Sequence, residues 1–302
     1  MGTVPSTSEL DDAAASFLVV RPRLFGIAYR MLGSASEAED IVQEVWLRWQ
    51  QYDRSIVREP AAFLATTTTR LSINAATTAR ARHETYIGPW LPDPIDTSAD
   101  PVLGAERGEA LELAVLLLLE RLSPTERAAY VLREAFDYPY PLIAEIVQQA
   151  EPAVRKSVSR ARQHLVAERK APVSQPEHRR LLNAFLSAAR SGDVGALESL
   201  FAADVVSYTD GGGVALAARI PVLGRSRVAK FVGAFASHFW TGASIHSVEF
   251  NNQPGFALRR DGEVFALLSI TASAEGIEQL LWMMNPEKIS ALMVTESGAA
   301  LS

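Results

Sequence analysis

Between Glu151 and Leu165 the chain carries side chains suited to one kind of chemistry. Arg155, Lys156, Arg160 and Arg162 supply guanidinium and ammonium groups that pair with phosphate oxygens, while Ser159 and Gln163 supply a hydroxyl and an amide that reach base edges. Groups of this kind break no bonds; they recognise an anionic polymer. A second basic set stands upstream, with Arg54, Arg58, Arg70, Arg80 and Arg82 and the amide of Asn74. A third set, Asp40, Gln43 and Glu44, is acidic and polar and lies at helical spacing. The formal net charge is −6, which opposes nucleic-acid binding only if charge is spread evenly. It is not: Arg54 to Arg82 holds five Arg against Glu59, and Glu151 to Lys170 holds six Lys or Arg against two Glu. Two basic surfaces on an otherwise acidic chain fit binding at two places on one nucleic acid.

The elements that must position these groups are helices. Val154, Val158, Ala161 and Leu165 form one apolar stripe at helical period, which leaves the basic residues on the rest of the barrel. Leu142, Ile143, Ile146 and Val147 predict a short helix just before it, separated by Gln148, Gln149 and Ala150. A short helix, a tight turn and a basic helix make a helix-turn-helix, although a helical hairpin with a solvated basic face has the same pattern. The turn has no Gly, so Pro152 must help fix where the second helix begins. Helices are also expected at 12–31, 36–52 and 61–82. Ser36 is read as the cap of the second, and Ala38, Ile41, Val42, Val45, Trp49 and Tyr52 as its buried stripe. In the third, Phe63, Leu64, Thr67, Leu71 and Ala75 are expected to face inward. The four threonines from Thr66 are poor helix formers, explained only by packing or by nucleic-acid contact.

With 302 residues, two or three domains are expected, and 48% hydrophobic against 21% charged residues supports folded cores. Cysteine is absent, which excludes disulfides and thiolate metal sites, and the five histidines show no metal-binding spacing. No apolar run approaches membrane-spanning length, so a cytoplasmic chain without membrane attachment is expected. Pro89, Pro92, Pro94 and Pro101 make a stiff connector. The Trp90-Leu91-Pro92-Asp93-Pro94 stretch within it demands burial. A helix over 101–122 and another from Ser123-Pro124 follow. Past Pro172 the pattern changes to two helices and then strands at 205–209, 214–219, 245–251, 256–260, 264–272 and 277–284. Turns are read at Asp210-Gly211-Gly212-Gly213, Gln253-Pro254-Gly255 and Asp261-Gly262, and one helix at 225–239. This is an α+β domain with a largely antiparallel sheet. Asp210, His238, His246 and Trp282 contain the ingredients of acid–base catalysis, but a structural role is the expectation for each, and the chain is read as no enzyme, with no cofactor and no metal.

Residues Ser36 to Trp46 resemble the second conserved region of bacterial sigma factors, and Pro141 to Leu165 resemble their fourth. Order and spacing resemble the extracytoplasmic-function type. The C-terminal part is similar to a SnoaL-like domain of the NTF2-like group. Trp90 to Pro94, Asp210 to Gly213 and Asn285-Pro286-Glu287-Lys288-Ile289 match the subgroup that carries one, the sigma factor J type. The resemblance implies a multidomain chain of two all-α sigma domains followed by an α+β domain: region 2 at 10–85, a Pro-rich linker at 86–105, region 4 with the helix-turn-helix at 106–170 and a regulatory SnoaL-like domain at 177–302. It implies that Asp40, Gln43 and Glu44 contact core RNA polymerase at the β′ coiled coil, with the β flap as a second partner surface. Arg54, Arg58, Phe63, Arg70, Asn74 and Arg80 then serve the minus-10 promoter element, and Arg155, Lys156, Ser159, Arg160 and Arg162 the minus-35 element. Trp90, Leu91, Pro92, Asp93 and Pro94 become regulatory together with Asp210, Gly211, Gly212, Gly213, Asn285 and Pro286. A small-molecule ligand of the third domain is allowed, and a one-component regulator sensing such a ligand is the competing reading.

Overall fold

The structure is a computed structural model that describes residues 7–97, 111–213 and 217–290. They fall into two compact units: one of 7–82, Leu111 and 115–165, the other of 83–97, Glu112–Ala114 and 166–290.

In the first unit, α1 (Thr7–Leu32) and α2 (Ala35–Gln51) pack antiparallel across a turn at Gly33, whose φ of 67° suits a residue without Cβ. The N-cap of α2 is Ser34, which accepts from Glu37 N; Ser36, expected as the cap, sits one turn too late. Ala38, Val42, Val45 and Trp49 are buried as expected, and the Trp49 indole donates to Ala13 O at 3.2 Å. Tyr52 instead closes the end of α2, half exposed, with its ring 4.5 Å from Phe63. A 3-10 turn (Arg54–Ile56) leads into α3 (Pro60–Glu84).

The buried face of α3 is not the one that hydrophobicity suggests. Leu64, Ala65, Thr68, Thr69, Ser72, Ala76 and Ala79 face inward, and Phe63, Thr67, Leu71 and Ala75 are only half buried. Thr66, Thr67, Thr68 and Thr69 each donate a hydroxyl to the carbonyl four residues back at 2.8–2.9 Å. A threonine satisfied in this way buries like a small apolar residue and lets helices approach closely.

Short α4 (Leu113–Leu119) is followed by α5 (Pro124–Glu134), opened by the Ser123/Glu126 capping box with Pro124 in the first turn. The helix expected over 101–122 is described only from Leu111. Arg127 donates to Met31 O and pairs with Glu120, both at 2.6 Å, so α5 caps the carboxyl end of α1. α6 (Tyr140–Val147) and α7 (Glu151–Glu168) make the helix-turn-helix. Gln148 takes the left-handed conformation, φ 55°, that a glycine usually supplies. Val154, Val158, Ala161 and Leu165 are all buried.

In the second unit α8 (Gln175–Ser191), α9 (Val194–Leu200), α10 (Arg225–Ala234) and α11 (Ala236–Phe239) lie with a six-stranded sheet. The strands are β1 (Phe201–Asp210), β2 (Val222–Leu223), β3 (Ser244–Phe250), β4 (Gln253–Arg260), β5 (Glu263–Ser273) and β6 (Gly276–Met283), in the order β2-β1-β6-β5-β4-β3. The sheet is mixed: β1 and β6 run parallel, and every other neighbouring pair is antiparallel. Phe185, Leu197, Phe201, Val228, Leu268, Ile270 and Trp282 form its core.

Three expectations change here. The helix read over 225–239 breaks at Phe235, and the strand read over 214–219 falls partly outside the described residues, its edge position being taken by β2. The β3–β4 turn is Asn251-Asn252, φ 51° and 58°, while Gln253-Pro254-Gly255 belongs to β4. Gly255 is required by packing, since a Cβ there would lie 2.4 Å from the Phe250 ring.

His178 is buried under the sheet with Nε2 2.9 Å from Ile270 O, and Nδ1 has no partner. A carbonyl only accepts, so Nε2 carries the proton, and burial holds the imidazole pKa below its ordinary value. Unfolding releases that constraint, so the unfolded chain takes up a proton near pH 6.5, where the folded one does not. Stability is therefore full above that value and falls as pH drops towards the depressed folded pKa. Chemical denaturation of the full chain should show the third domain's midpoint falling from pH 7 to pH 5, and a His178→Leu variant should flatten that dependence.

Candidate nucleic-acid interface and linker clasp

The recognition helix α7 presents Arg155, Lys156, Ser159, Arg160 and Arg162 on its exposed side. Three of its arginines already hold carboxylates: Arg155 pairs with Glu151, Arg160 with Glu126 and Arg162 with Glu134, at 2.6–2.7 Å. These pairs are solvent-accessible and individually weak, so phosphates can displace them. Arg155 also stacks over the Tyr140 ring at 4.2 Å, which orients its guanidinium along the helix-turn-helix. Lys156 and Arg160 line a cavity of about 460 Å³ beside the capped start of α5. A basic helix face next to a helix N-terminus favours an anionic backbone.

The upstream basic set is divided. Arg58 and Asn74 are exposed. The Arg54 guanidinium is turned back onto the carboxyl end of α2, donating to Trp49 O and Gln50 O at 3.2 Å. Arg70 reaches the helix-turn-helix and donates to Glu145 O and Ile146 O at 2.9 and 3.0 Å. For either guanidinium, contact with a nucleic-acid strand requires leaving these carbonyls. Phe63 is half buried between Trp49 and Tyr52, and the side chain of Arg80 lies outside the described residues. Asp40 and Gln43 are exposed on α2 one turn apart, Glu44 pairs with Arg48 at 2.7 Å, and Leu47 is exposed beside them.

The most completely buried charge among these residues is in the second unit. Asp210, at the end of β1, has no exposure, and both its oxygens are fully used. Oδ1 accepts from Tyr86 Oη at 2.6 Å and Gly212 N at 3.1 Å; Oδ2 accepts from Leu91 N at 2.9 Å and Lys288 Nζ at 3.0 Å. Lys288 also donates to Leu91 O, stands 3.6 Å from Asp93 and lies over the Trp90 ring at 4.5 Å. Asn285 donates to Tyr86 Oη at 2.9 Å. The phenol pKa is raised by burial first and then by the neighbouring Asp210 carboxylate, so Tyr86 stays a donor. Gly212 is obligatory here, because at its φ of 63° a Cβ would fall 2.6 Å from the Asn285 side chain.

The linker stretch is thus held along its length by the third domain, with Leu91 fully buried. Further on, Ile95 and Asn251 exchange two bonds of 3.0 Å, and Thr97 Oγ1 accepts from Asn252 N at 2.9 Å. Pro92, Pro94 and Gly211 are buried in the same region, and Pro286 follows Asn285. Sequence reasoning missed Tyr86, Asn251 and the central place of Lys288. The available signal for the last was a cation inside a motif otherwise matched to a carboxylate motif. The four residues considered for catalysis do not converge. Asp210 is committed to the linker, His238 and His246 are exposed beside Ser237 and Ser244, and Trp282 lies in the core. Among the described residues no group of three metal-ligating side chains forms, and no helix is long and apolar enough to cross a membrane.

Comparison with known proteins adds names to these features. Residues 17–82 match the Sigma-70 region 2 family and residues 112–165 the Sigma-70, region 4 family. The ECF RNA polymerase sigma factor SigJ of Mycobacterium tuberculosis is 35% identical over 76% of this chain and 74% of that protein. A probable ECF RNA polymerase sigma factor, SigI, of the same species is 32% identical over 63% of this chain and 67% of its own length. The crystal structure of the M. tuberculosis extracytoplasmic function sigma factor SigJ superposes with a TM-score of 0.73 at 29% identity, covering 92% of this chain and 98% of that one.

Removing Asp210 leaves a lysine, a phenol and an amide buried without an acceptor, and breaking such a pair costs about 3–5 kcal/mol. Hydrogen exchange of Asp210→Ala should show residues 86–97 losing protection while β4 and β5 keep theirs, and Gly212→Ala should do the same more weakly. Unchanged protection of the linker in both variants would show that the clasp is not what holds it.

Proposed function

Since this chain belongs to the extracytoplasmic-function RNA polymerase sigma factors, a family of promoter-recognising subunits without a catalytic step of their own, we propose that it is controlled in cis by the clasp on its linker. Asp40, Gln43 and Glu44, with exposed Leu47, bind the β′ coiled coil of core polymerase, and the second DNA-reading domain meets the β flap. Arg155, Lys156, Ser159, Arg160 and Arg162 engage the minus-35 element, phosphate contacts holding the register in which base edges are read. Arg58 and Asn74, joined by Arg54 and Arg70 once these leave their carbonyl partners, track the minus-10 strand, and Phe63 supplies a ring for an unstacked base. The chain acts in the cytoplasm, where polymerase and promoter meet.

The observation that carries the regulatory reading is the fully buried Asp210 carboxylate gripping Tyr86, Leu91 and Lys288. The linker joins the two promoter-reading regions, and each residue held on the third domain is withdrawn from the span available between them. Release and capture of the linker therefore set which promoter spacings the two regions reach together. A ligand-sensing regulator that never binds polymerase leaves the exposed Asp40, Gln43, Leu47 flank without a use.

The test is promoter-dependent transcription with purified core polymerase. Full-length protein should give specific starts, and Asp40→Ala with Glu44→Ala should reduce them at least tenfold while leaving the fold intact. Asp210→Ala and a chain ending at residue 176 should both change the yield relative to wild type. Identical output from all three clasp states would remove the cis-regulatory reading and leave the sigma activity standing. Lys156→Ala should weaken promoter binding across sequences and lower the slope of log affinity against log salt by about one unit, read by fluorescence anisotropy.

A further inference from the structure

The third domain encloses a second feature that the clasp does not use. A cavity of about 210 Å³ lies between the sheet and the helices α10 and α11, walled by Phe231, Phe239, Trp240, Trp282, Met284 and Thr209 among others. An apolar cavity of this kind stays dry, and its wall atoms forfeit dispersion contacts on one side. The aromatic walls are arranged edge to face, Phe239 against Trp282 at 5.5 Å and 88° and against Trp240 at 5.1 Å and 85°, so they do not collapse on one another. Half-exposed Phe235 also lines it, placing an aromatic residue at the surface end. None of the described lining residues is charged, and Thr209 contributes a hydroxyl.

The same wall touches the clasp. Thr209 precedes Asp210 in β1 and is paired in register with Trp282 in β6. Met284 donates its backbone N–H to Asp210 O at 2.7 Å and is followed by Asn285, which holds Tyr86. Ala218, a further lining residue, backs the linker: a side chain placed on Gly88 would lie 3.8 Å from Ala218 O.

We infer that this cavity binds a small, flat, neutral aromatic molecule, stacked between indole and phenyl rings with one polar atom at Thr209, and that its occupancy shifts the strand ends that position Asp210 and Asn285. The ligand is a fused-ring compound of one or two rings, since the volume excludes larger frameworks and the walls offer no partner for a charge. The consequence for transcription rests on the clasp acting as regulator; the binding itself does not. A ligand alters the clasp only by its differential affinity for the held and released linker, so both must be read in one measurement.

The full chain has five tryptophans, of which Trp240 and Trp282 line the cavity and Trp90 lies in the clasp. Fluorine NMR of 5-fluorotryptophan-labelled full-length protein titrated with 2-naphthol should show saturable shifts of Trp240 and Trp282, with Trp90 following at the same midpoint and Trp46 and Trp49 unmoved. Ala217→Phe, which fills the space, should weaken the response at least tenfold; if its spectrum shows an unfolded third domain, Ala218→Phe replaces it. Absence of a saturable shift at Trp240 and Trp282, or an equal response in the filled variant, overturns the site. Shifts there with Trp90 unmoved overturn the coupling to the clasp, and none of these outcomes depends on polymerase.

Discussion

A carboxylate removed from water must find donors for both oxygens, and Asp210 finds them almost entirely on other segments. Its partners come from the linker, from the loop that follows β1 and from Lys288 beyond β6, so one charge ties together pieces of chain far apart in sequence. The parallel pairing of β1 with β6, which sets Asp210 beside Met283, brings the carboxylate and the Asn285–Lys288 segment to the same end of the sheet. Lys288 is dependent in turn: its ammonium is shared among Asp210, Asp93, Leu91 O and the Trp90 ring, and without them it is a buried cation with little to hold it. The linker is ordered because the third domain would otherwise carry two stranded charges.

The first unit handles its charge differently. Its arginines serve as caps and surface pairs: Arg127 on the end of α1, Arg70 on the end of α6, Arg54 on the end of α2, and Arg155, Arg160 and Arg162 on nearby glutamates. Each of the last three is accessible and exchangeable, so the helix is kept soluble in the free protein by partners that a polyanion outcompetes. Arg127 is the exception, being buried and joined to both Met31 O and Glu120, and it belongs to the scaffold rather than to the binding face.

The elements legible in the sequence were those whose local signal and packing agree. Val154, Val158, Ala161 and Leu165 announce one face of α7 by spacing alone, and the Ser123/Glu126 box marks the start of α5. The clasp was legible in part. Trp90 to Pro94 asked for burial, and the motifs around Asp210 and Asn285 suggested where, yet no local pattern tells that Tyr86 and Lys288 converge on one carboxylate. Long-range pairing of that kind depends on the sheet order. The inward face of α3 was misread because hydrophobicity ranks Phe63 above Thr68, whereas a hydroxyl bonded to its own helix costs little to bury. The β3–β4 turn was misplaced because Pro254-Gly255 looks like a turn, while Gly255 is there to admit the Phe250 ring and Asn251-Asn252 make the reversal.

The placement of β6 between β1 and β5 also carries a consequence for the time order of synthesis. Strands β3, β4 and β5 form a meander as they leave the ribosome, but β1 has no central neighbour until residues 276–283 have been made, and Lys288 follows later still. The helical regions that read DNA and meet polymerase are translated well before that point and have local contacts enough to fold early. A newborn chain therefore passes through an interval in which its promoter-reading parts are finished and the latch on their linker does not yet exist.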